Sequence, residues 1–331
     1  MTHYAEIISQ ANESMKTINT AVIGTGYLGK YHVDKLATLP NSNLVAICDI
    51  DSSHTHELSE KYHITATHDF RSLIGKVDAV SIAAPTPLHF EIAHFFLENQ
   101  VHVLIEKPIT NTVEQADILI ALAKKNNLVL QVGHIERFNP TFQFISPQLA
   151  SPLFIEAQRL TSFKLRGSDV SVILDMMIHD IDIILSLVKA PMTDVRATGA
   201  SVLTPFIDIA NARIEFSNGC VASITASRIN ATSERRLRVF QHDAYFNLDL
   251  HRSICRIRRK AKTEMFPGVP NIDSEEKYLE KGDALKDEIH SFLQAIIHQQ
   301  TPLVTGGAAR DALALATHIT QIITQHNEKY V

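Results

Sequence analysis

The sequence predicts an α/β protein, in which a doubly wound parallel sheet is followed by an α+β domain with a mostly antiparallel open sheet. Short β-branched apolar runs alternate with helical segments up to about residue 134, as in parallel strands joined by helices. Beyond residue 190, apolar runs follow one another, with hairpin turns such as Asn218-Gly219 between them. The length of 331 residues provides for two domains with ample buried core.

The first domain is predicted to alternate strands and helices. The strands cover residues 20–23, 43–47, 79–83, 102–105 and 128–132. The helices cover residues 28–39, 53–62, 88–99 and 113–125. Ligands of such sheets bind at the carboxyl ends of the strands, where we therefore expect the functional residues.

The second domain is predicted to contain one long apolar helix and a run of strands. A helix at 140–150 and a strand at 153–163 come first, before the apolar helix at 170–188. The later strands cover residues 194–203, 208–217, 221–228, 235–242, 244–250 and 253–258. Two helices, at 284–298 and 308–325, close the chain, and the second is expected to pack back on the core. The predicted boundaries are 1–17 for an N-terminal extension, 18–137 for the parallel-sheet domain and 138–331 for the α+β domain.

The composition is ordinary, with 45% hydrophobic and 20% charged residues and a net charge of −5. This charge argues against a nucleic-acid partner, because nucleic-acid-binding proteins usually carry a broad basic excess. No run of eighteen apolar residues occurs, so no membrane partner is expected. Three widely spaced cysteines without a C-x-x-C pair suggest neither disulfides nor a zinc site and fit the cytoplasm.

One local exception is the basic stretch at residues 252–262, which carries six Lys and Arg side chains. The alternation within residues 253–257 indicates a strand with one solvated face. A phosphate-binding patch is the alternative.

A glycine-rich turn follows the first predicted strand. Gly24, Gly26 and Gly29 have the G-x-G-x-x-G spacing of dinucleotide-binding turns. Gly24 permits a tight turn, Gly26 lets a pyrophosphate approach the backbone, and Gly29 lets the next helix pack on its strand. The N-terminus of that helix then faces the phosphates. The other residues of the expected cofactor turn are Thr25, Tyr27 and Leu28.

Asp49 ends the second predicted strand, twenty residues after Gly29. A carboxylate at this place binds the adenine ribose diol of NAD. The same carboxylate repels the 2′-phosphate of NADP, and no arginine follows it to bind that group. NAD is therefore the expected cofactor, in preference to NADP.

Further cofactor-site candidates follow the next two strands. Lys107 lies between Glu106 and Pro108, and the proline fixes the turn so that the ammonium is directed into the nicotinamide site. A solvated lysine is the structural alternative. The remaining candidates are Ala84, Thr86 and His89, of which Thr86 is expected to cap the next helix and also suits a cofactor contact.

Asp175, His179 and Asp182 share one face of the predicted apolar helix, at i, i+4 and i+7. Burying these side chains is costly unless they are paired, so the cluster needs an explanation. An aspartate one turn before a histidine orients the ring and raises its basicity, which leaves the other nitrogen to take a proton. Asp182 is expected to contact the substrate. A polar cluster that only fixes the helix to the sheet, or a metal site, is the alternative.

Five more residues are candidates for substrate binding. His134, Arg137 and Asn139 follow the last parallel strand, and Arg137 suits a structural role at the domain junction equally well. Lys164 and Arg166 form a basic loop before the apolar helix. This loop suits either a phosphate-bearing substrate or plain solvent exposure.

Taken in order, these motifs resemble those of the Gfo/Idh/MocA-type oxidoreductase family, which includes glucose-fructose oxidoreductase and inositol 2-dehydrogenase. The motifs are the glycine turn, Asp49, Thr86-Pro87 with His89, Glu106-Lys107-Pro108, Arg137-Phe138, and Asp175 with His179 and Asp182. The resemblance implies an NAD-binding Rossmann domain, catalysis by Lys107, Asp175 and His179, and assembly into homodimers or homotetramers through the open sheet. Many members have glycines just before the catalytic aspartate, whereas residues 170–174 here contain none, so the pocket is expected to differ in shape.

Residues 133–140, 166–170 and 177–182 are most similar to bacterial dehydrogenases that oxidise UDP-N-acetylglucosamine at C3. This similarity implies a 3-keto nucleotide sugar as product and a partner aminotransferase that converts it to a 3-amino sugar for lipid A. The expected reaction is NAD-dependent oxidation of a secondary hydroxyl of a sugar. A dehydrogenase of free polyols or monosaccharides such as inositol and glucose, or a non-catalytic NAD-sensing regulator, is the alternative.

Overall fold

The computed structural model describes residues 16–165 and 167–329 of the chain. Among these residues, one compact unit comprises 16–135 and 283–310, and the other comprises the rest. The predicted N-terminal extension lies almost wholly outside the described residues.

The first unit is built on a parallel sheet of six strands in the order β3-β2-β1-β4-β5-β6. The strands are β1 (Ile18–Ile23), β2 (Ser42–Cys48), β3 (Thr65–Thr67), β4 (Ala79–Ile82), β5 (His102–Glu106) and β6 (Leu130–Gly133). The strand order reverses between β1 and β4, so the loops after these two strands diverge to opposite sides of the sheet. A crevice at such a switch point is where doubly wound sheets bind ligands.

The second unit is built on a sheet of eight strands in the order β14-β13-β12-β11-β7-β10-β9-β8. The strands are β7 (Phe154–Leu160), β8 (Met192–Ala200), β9 (Ile209–Phe216), β10 (Val221–Ser227), β11 (Glu234–Phe240), β12 (Ala244–Asp249), β13 (Ile254–Phe266) and β14 (Val269–Tyr278). β7 and β10 pair with each other in parallel, and all other neighbouring strands of this sheet are antiparallel.

Helices cover one or both faces of these sheets. The α-helices are α1 (Gly29–Thr38), α2 (Ser52–Tyr62), α3 (Thr86–Glu98), α4 (Val113–Lys125), α5 (Pro140–Ile145), α6 (Ile178–Leu187), α7 (Ala284–Ile297) and α8 (Gly306–Asn327). In the described part of the chain, each helix is too short or too polar to cross a lipid bilayer.

The predicted fold class is confirmed, together with the type and approximate bounds of most elements. Two strands were missed. β3 has only three residues, Thr-Ala-Thr, and carries too short a pattern to recognise. β14 is mostly exposed and rich in charge, and it is held by pairing with β13 rather than by burial.

The basic stretch lies mostly in β13, as expected for a strand with a solvated face, and its Arg256 forms an ion pair with Glu276 of β14.

The predicted apolar helix over residues 170–188 is present as an unbroken helical stretch at 172–187, but its first turn is not α-helical. A π-helical turn, Ile173–Met177, precedes α6. At the start of this segment, the Ser171 hydroxyl accepts from the Ile173 amide at 3.1 Å. The wider turn changes the angular offset between Asp175 and the residues that follow. Single π-turns are frequent at functional sites.

Helix α7 belongs to the first unit, whereas the predicted boundary put every residue after 137 in the second. Its residues Ile289, Phe292 and Leu293 are buried in one core with Val22 and Leu104 of the parallel sheet. The apolar face of α7 thus determines its unit, although about 150 residues separate it from β6. Helix α8 then contributes Leu315, Ile319 and Ile323 to the core of the second unit.

The first unit also buries a carboxyl group that has no ion-pair partner within residues 16–165 and 167–329. Glu288 of α7 is fully buried, and neither of its side-chain oxygens has a hydrogen-bond partner among the described residues. Its backbone oxygen accepts from Nε2 of Gln131 at 2.9 Å. Burial and the negative charge of Glu106 raise the pKa of Glu288 well above its usual value.

We expect Glu288→Gln to stabilise the protein increasingly as pH rises. Because the folded pKa is raised, unfolding releases a proton at any pH between the unfolded and folded values. The free energy of unfolding then falls with rising pH, by at most about 1.4 kcal/mol per pH unit, and glutamine removes this penalty. Urea unfolding of the unmodified protein and of Glu288→Gln, at several pH values from weakly acidic to weakly alkaline, measures the difference in their free energies of unfolding. Glu57→Gln, which changes an exposed glutamate, is the control. If the free-energy difference between Glu288→Gln and the unmodified protein does not change with pH, Glu288 is not neutral in the folded protein.

Candidate active site

The three glycines of the turn after β1 meet different surroundings. Gly24 has a φ of +85°, and a Cβ there would lie 2.6 Å from the Ala84 nitrogen. A Cβ at Gly29 would lie 1.8 Å from the Gly24 carbonyl oxygen. A Cβ at Gly26 would meet no atom of the described residues within 4 Å. Packing within the protein therefore requires glycine at positions 24 and 29. At Gly26 the space beside the backbone is open, which fits a bound pyrophosphate.

Asp49 ties the end of β2 to this turn. Its Oδ2 accepts from the Thr25 amide at 2.7 Å and from the Thr25 hydroxyl at 3.2 Å. Its Oδ1 accepts from the Asp51 amide at 3.0 Å. Burial favours a higher pKa for Asp49, but these hydrogen bonds outweigh it and the pKa is lowered. A carboxylate accepts about four hydrogen bonds, so Asp49 retains capacity for a ribose hydroxyl.

A buried chain of hydrogen bonds fixes the Glu106 carboxylate next to Lys107. Nδ1 of His32 lies 2.7 Å from Oγ of Ser81, and its Nε2 lies 3.0 Å from Oε1 of Glu106. Oε2 of Glu106 accepts from the Lys107 amide at 3.2 Å. Burial favours a higher pKa for Glu106, but the hydrogen bond and charge of His32 and the charge of Lys107 hold it below the usual value. The Lys107 side chain is half-buried, and the Lys107-Pro108 peptide bond is cis.

His89 lies between the loop that follows β4 and the loop that follows β5. Its Nδ1 lies 2.9 Å from the Pro108 oxygen and its Nε2 lies 2.8 Å from the Ala84 oxygen. Burial lowers the pKa of His89, which favours the neutral ring despite these two acceptors. Each ring nitrogen faces a backbone oxygen, and the neutral ring donates its one N–H to one of the two, so His89 links Ala84 or the Pro108 turn to helix α3. A contact between His89 and the cofactor stays a prediction.

The prediction that Thr86 caps helix α3 is wrong. The helix begins at Thr86 itself, with Pro85 at the capping position and no side-chain cap bond. Pro87 fits the first turn, because its fixed φ is helical and its missing N–H has no role there. The Thr86 hydroxyl therefore has no capping role, and its contact with a cofactor stays a prediction.

The candidate catalytic residues of the second unit lie on the π-turn and on α6. Asp175 is on the π-turn, and a Cβ at Gly167 would lie 2.8 Å from its Oδ2. His179 and Asp182 follow on α6. Asp182 is only 2% exposed, its Oδ1 lies 3.5 Å from the Arg137 guanidinium, and its Oδ2 has no hydrogen-bond partner among the described residues. Such an unsatisfied buried oxygen can accept a hydrogen bond from a ligand hydroxyl.

Helix α6 is held on its sheet by a buried ion-pair network. Arg159 of β7 donates to both Asp180 oxygens at 2.8 and 2.9 Å, and to Oε1 of Glu136 at 2.7 Å. Arg235 also donates to Oε1 of Glu136, at 3.0 Å. Burial favours a higher pKa for Glu136, but the two guanidiniums hold it below the usual value. This network fixes Asp180, and with it the neighbouring His179 and Asp182 backbone.

The other substrate candidates differ in their surroundings. Asn139 caps α5 through the Thr141 amide at 3.0 Å and donates to Glu136 and to the Leu250 oxygen, so it has a structural role. His134 is buried at the end of β6, and Lys164 is exposed. Arg166 lies outside the described residues. A substrate contact by any of them stays a prediction.

Metal ligation and thiol chemistry have little support in the described residues. No group of three or more His, Cys, Asp or Glu residues within 16–165 and 167–329 is placed to hold a metal ion. Cys48, Cys220 and Cys255 are buried free thiols, and burial raises the pKa of each to about 11. They are therefore protonated at neutral pH.

Comparison with known proteins gives two family matches that follow each other along the chain. Residues 18–134 match the model described as "Oxidoreductase family, NAD-binding Rossmann fold". Residues 133–246 match the model described as "GFO/IDH/MocA C-terminal domain".

Individual relatives match over most of their length. UDP-N-acetylglucosamine 3-dehydrogenase of Acidithiobacillus ferrooxidans is 38% identical over 303 residues, which are 91% of this chain and 96% of the relative. A solved structure of that enzyme has a TM-score of 0.88 at 37% identity and covers 93% of this chain and 97% of its own. The NAD(+)-dependent scyllo-inositol 2-dehydrogenase of Bacillus subtilis is 25% identical over 308 residues, 87% of this chain and 89% of the relative. Levoglucosan dehydrogenase, solved with NADH and levoglucosan, shares the fold, with a TM-score of 0.83 at 19% identity, covering 93% of this chain and 98% of its own.

We expect Gly26→Ala to weaken NAD binding without changing thermal stability. In the part of the chain that the structure describes, the added methyl group meets no atom within 4 Å, but it occupies the space that a pyrophosphate needs. Overpacking of a contact costs about 1–3 kcal/mol, and about 1.4 kcal/mol is tenfold in affinity, so the Kd for NAD should rise about tenfold or more. Calorimetric titration with NAD measures this effect. Gly307→Ala is the control, since its Cβ would lie 3.7 Å from Oγ1 of Thr305, an ordinary van der Waals contact.

Proposed function

The chain belongs to the Gfo/Idh/MocA family of NAD-binding oxidoreductases, and on this premise we propose that it oxidises C3 of UDP-N-acetylglucosamine to the 3-keto sugar. The family and the NAD cofactor predicted from the motifs are confirmed. The observation that carries the substrate proposal is the near full-length similarity to the Acidithiobacillus ferrooxidans enzyme with this activity.

The cofactor is proposed to lie on the glycine turn and the neighbouring strand ends of the first unit. Gly26 provides the open space for the pyrophosphate, and Asp49 has capacity for a ribose hydroxyl. When bound, NAD supplies the acceptor for the hydride. Glu106, fixed by His32, holds the backbone of Lys107 at the end of β5.

We assign the catalytic roles to Lys107, Asp175 and His179. His179, oriented by Asp175, takes the proton of the sugar hydroxyl while a hydride leaves the same carbon, so that the C–O bond becomes a carbonyl. The Lys107 ammonium donates a hydrogen bond that stabilises the developing negative charge on the oxygen. Positioned acid-base catalysis contributes about 10²- to 10⁴-fold in rate, and a preorganised charge contributes about as much or more.

Substrate binding is proposed to use the buried oxygen of Asp182. Its Oδ2 lacks a hydrogen-bond partner in the described part of the chain, and its Oδ1 is within ion-pair distance of Arg137. A sugar hydroxyl that donates to Oδ2 removes the cost of leaving a buried acceptor unsatisfied. His134 and Asn139 are proposed near the sugar, and the charges of Lys164 and Arg166 suit the diphosphate.

The biological setting is proposed by analogy with the dehydrogenases that these motifs resemble. The product would pass to an aminotransferase that forms a 3-amino sugar for lipid A, in the cytoplasm. A homodimer or homotetramer is proposed as the assembly. Inositol dehydrogenases are also relatives, so a free polyol or monosaccharide is the second candidate substrate.

We expect NADH to form when the purified protein and NAD are mixed with UDP-N-acetylglucosamine, and not with free glucose or inositol. Absorbance at the NADH band follows the reaction, and an aminotransferase with glutamate removes the keto product if the equilibrium is unfavourable. NADH with inositol or glucose alone supports a polyol or monosaccharide dehydrogenase. Tight NAD binding without NADH from any of these sugars contradicts the proposal and favours the regulator.

We expect His179→Ala to lower kcat about 10²- to 10⁴-fold, because the base that accepts the hydroxyl proton is lost. The Kd for NAD should change little, since NAD binding is assigned to residues of the first unit. The matched control is His251→Ala, which removes an exposed imidazole from the same unit. Unchanged turnover of His179→Ala removes this residue from the mechanism.

A further inference from the structure

Two buried residues of opposite charge lie side by side at one end of the eight-stranded sheet. Asp208 precedes β9 and Arg228 follows β10, and the Arg228 amide donates to the Asp208 oxygen at 3.0 Å. Both side chains are buried, and Nε of Arg228 lies 3.8 Å from Oδ1 of Asp208. Buried charges of this kind need specific partners to offset their loss of hydration.

The Asp208 carboxylate finds its partners in one loop. Its Oδ2 accepts from the amides of Val202, Leu203 and Thr204 at 2.8, 2.7 and 2.9 Å. Its Oδ1 accepts from the Thr204 hydroxyl at 2.8 Å. Burial favours a higher pKa for Asp208, but these bonds outweigh it and lower the pKa to about 2. The carboxylate is therefore ionised at neutral pH and fixes residues 202–204.

The Arg228 guanidinium finds its partners in another loop. Its two terminal nitrogens donate to the backbone oxygens of Gly167 and Val170, each at 2.5 Å. A planar guanidinium can bond two carbonyls at once in this fork geometry. Two residues after Val170, the Val172 amide donates to the oxygen of Ile207, which directly precedes Asp208, at 2.9 Å.

Gly167, which Arg228 holds, lies directly against Asp175. Its φ is +76°, and a Cβ on it would lie 2.8 Å from Oδ2 and 3.3 Å from Cγ of Asp175. No other residue type fits here without displacing the loop or the carboxylate. The bonds from Arg228 therefore fix the distance between this loop and Asp175.

We propose that Arg228, supported by Asp208, is a positioning residue for Asp175: it holds the loop at Gly167 against the Asp175 carboxylate and limits the access of water to it. This inference rests on the proposed catalytic roles of Asp175 and His179. A carboxylate that is shielded from water interacts more strongly with a neighbouring imidazolium than a hydrated one does. Release of the loop therefore weakens the support that Asp175 gives to the protonated form of His179.

Arg228→Met tests the proposal through the pH dependence of kcat. The acid limb of kcat reports the group that must be unprotonated, here His179. We expect this limb to move to lower pH in Arg228→Met, and kcat at its optimum to fall about tenfold, since small misplacements near a reacting group are costly. The KM for NAD should not change. Arg228→Lys, which can bond only one carbonyl well, should lie between Arg228→Met and the unmodified protein.

Gly167→Ala tests the same contact from its other side and leaves Arg228 intact. It should reproduce the shift of the acid limb, because the added Cβ displaces the loop from Asp175. This variant and Arg228→Lys decide the question if Arg228→Met does not fold. Arg213→Met is the control, since Arg213 is a solvent-facing arginine of β9 paired with Glu215.

The outcomes separate this inference from the proposed function. An unchanged kcat and acid limb in the Arg228 and Gly167 variants, alongside an inactive His179→Ala, overturns the positioning role and leaves the dehydrogenase mechanism intact. A fully active His179→Ala overturns the mechanism itself, and the inference with it. A shift in both the Arg228 and Gly167 variants but not in Arg213→Met supports the inference.

Discussion

The cost of burying a carboxylate governs how both units are organised. Glu106, Glu136, Asp180 and Asp208 are all removed from most of the solvent, and each is compensated in a different way. Glu106 depends on a histidine and a backbone amide, Glu136 and Asp180 share one guanidinium, and Asp208 is surrounded by amides of its own loop. These requirements fix the positions of particular turns and helices more narrowly than apolar packing does, because hydrogen bonds are directional whereas apolar contacts are not. Among the candidate catalytic residues, Lys107 directly follows Glu106 and His179 directly precedes Asp180.

Local patterns were sufficient to predict the fold class, most elements and the glycine turn. The spacing of Gly24, Gly26 and Gly29 lies within six residues, and the need for glycine at Gly24 and Gly29 follows from backbone contacts at that turn. The partners that brace the site come from distant segments. His32 and Glu106 are 74 positions apart, and Arg228 and Gly167 are 61 apart. A single sequence carries no signal that pairs such residues. The sequence shows only a histidine, His32, within helix α1 and an arginine, Arg228, directly after β10, without indicating their partners.

The errors in the predicted elements also have physical causes. The apolar run before and through α6 has the composition of one helix, and nothing in it marks the extra residue of the π-turn. β14 is too polar to be recognised, because its stabilisation comes from backbone pairing with β13. Helix α7 has a clear apolar face, but periodicity indicates only that the face is buried and not which sheet buries it. Tertiary pairing thus decides what local propensity leaves open.

The passage of the chain between the two units constrains how the protein is made. The chain leaves the first unit after residue 135 and returns to it for residues 283–310 before ending in the second. Domains usually fold in order as they leave the ribosome. Here the parallel sheet lacks the α7 part of its core until residues 284–297 have been synthesised, about 150 residues after β6. The α7 part of the first unit's core therefore becomes available only after residues 136–282 of the second unit have been synthesised.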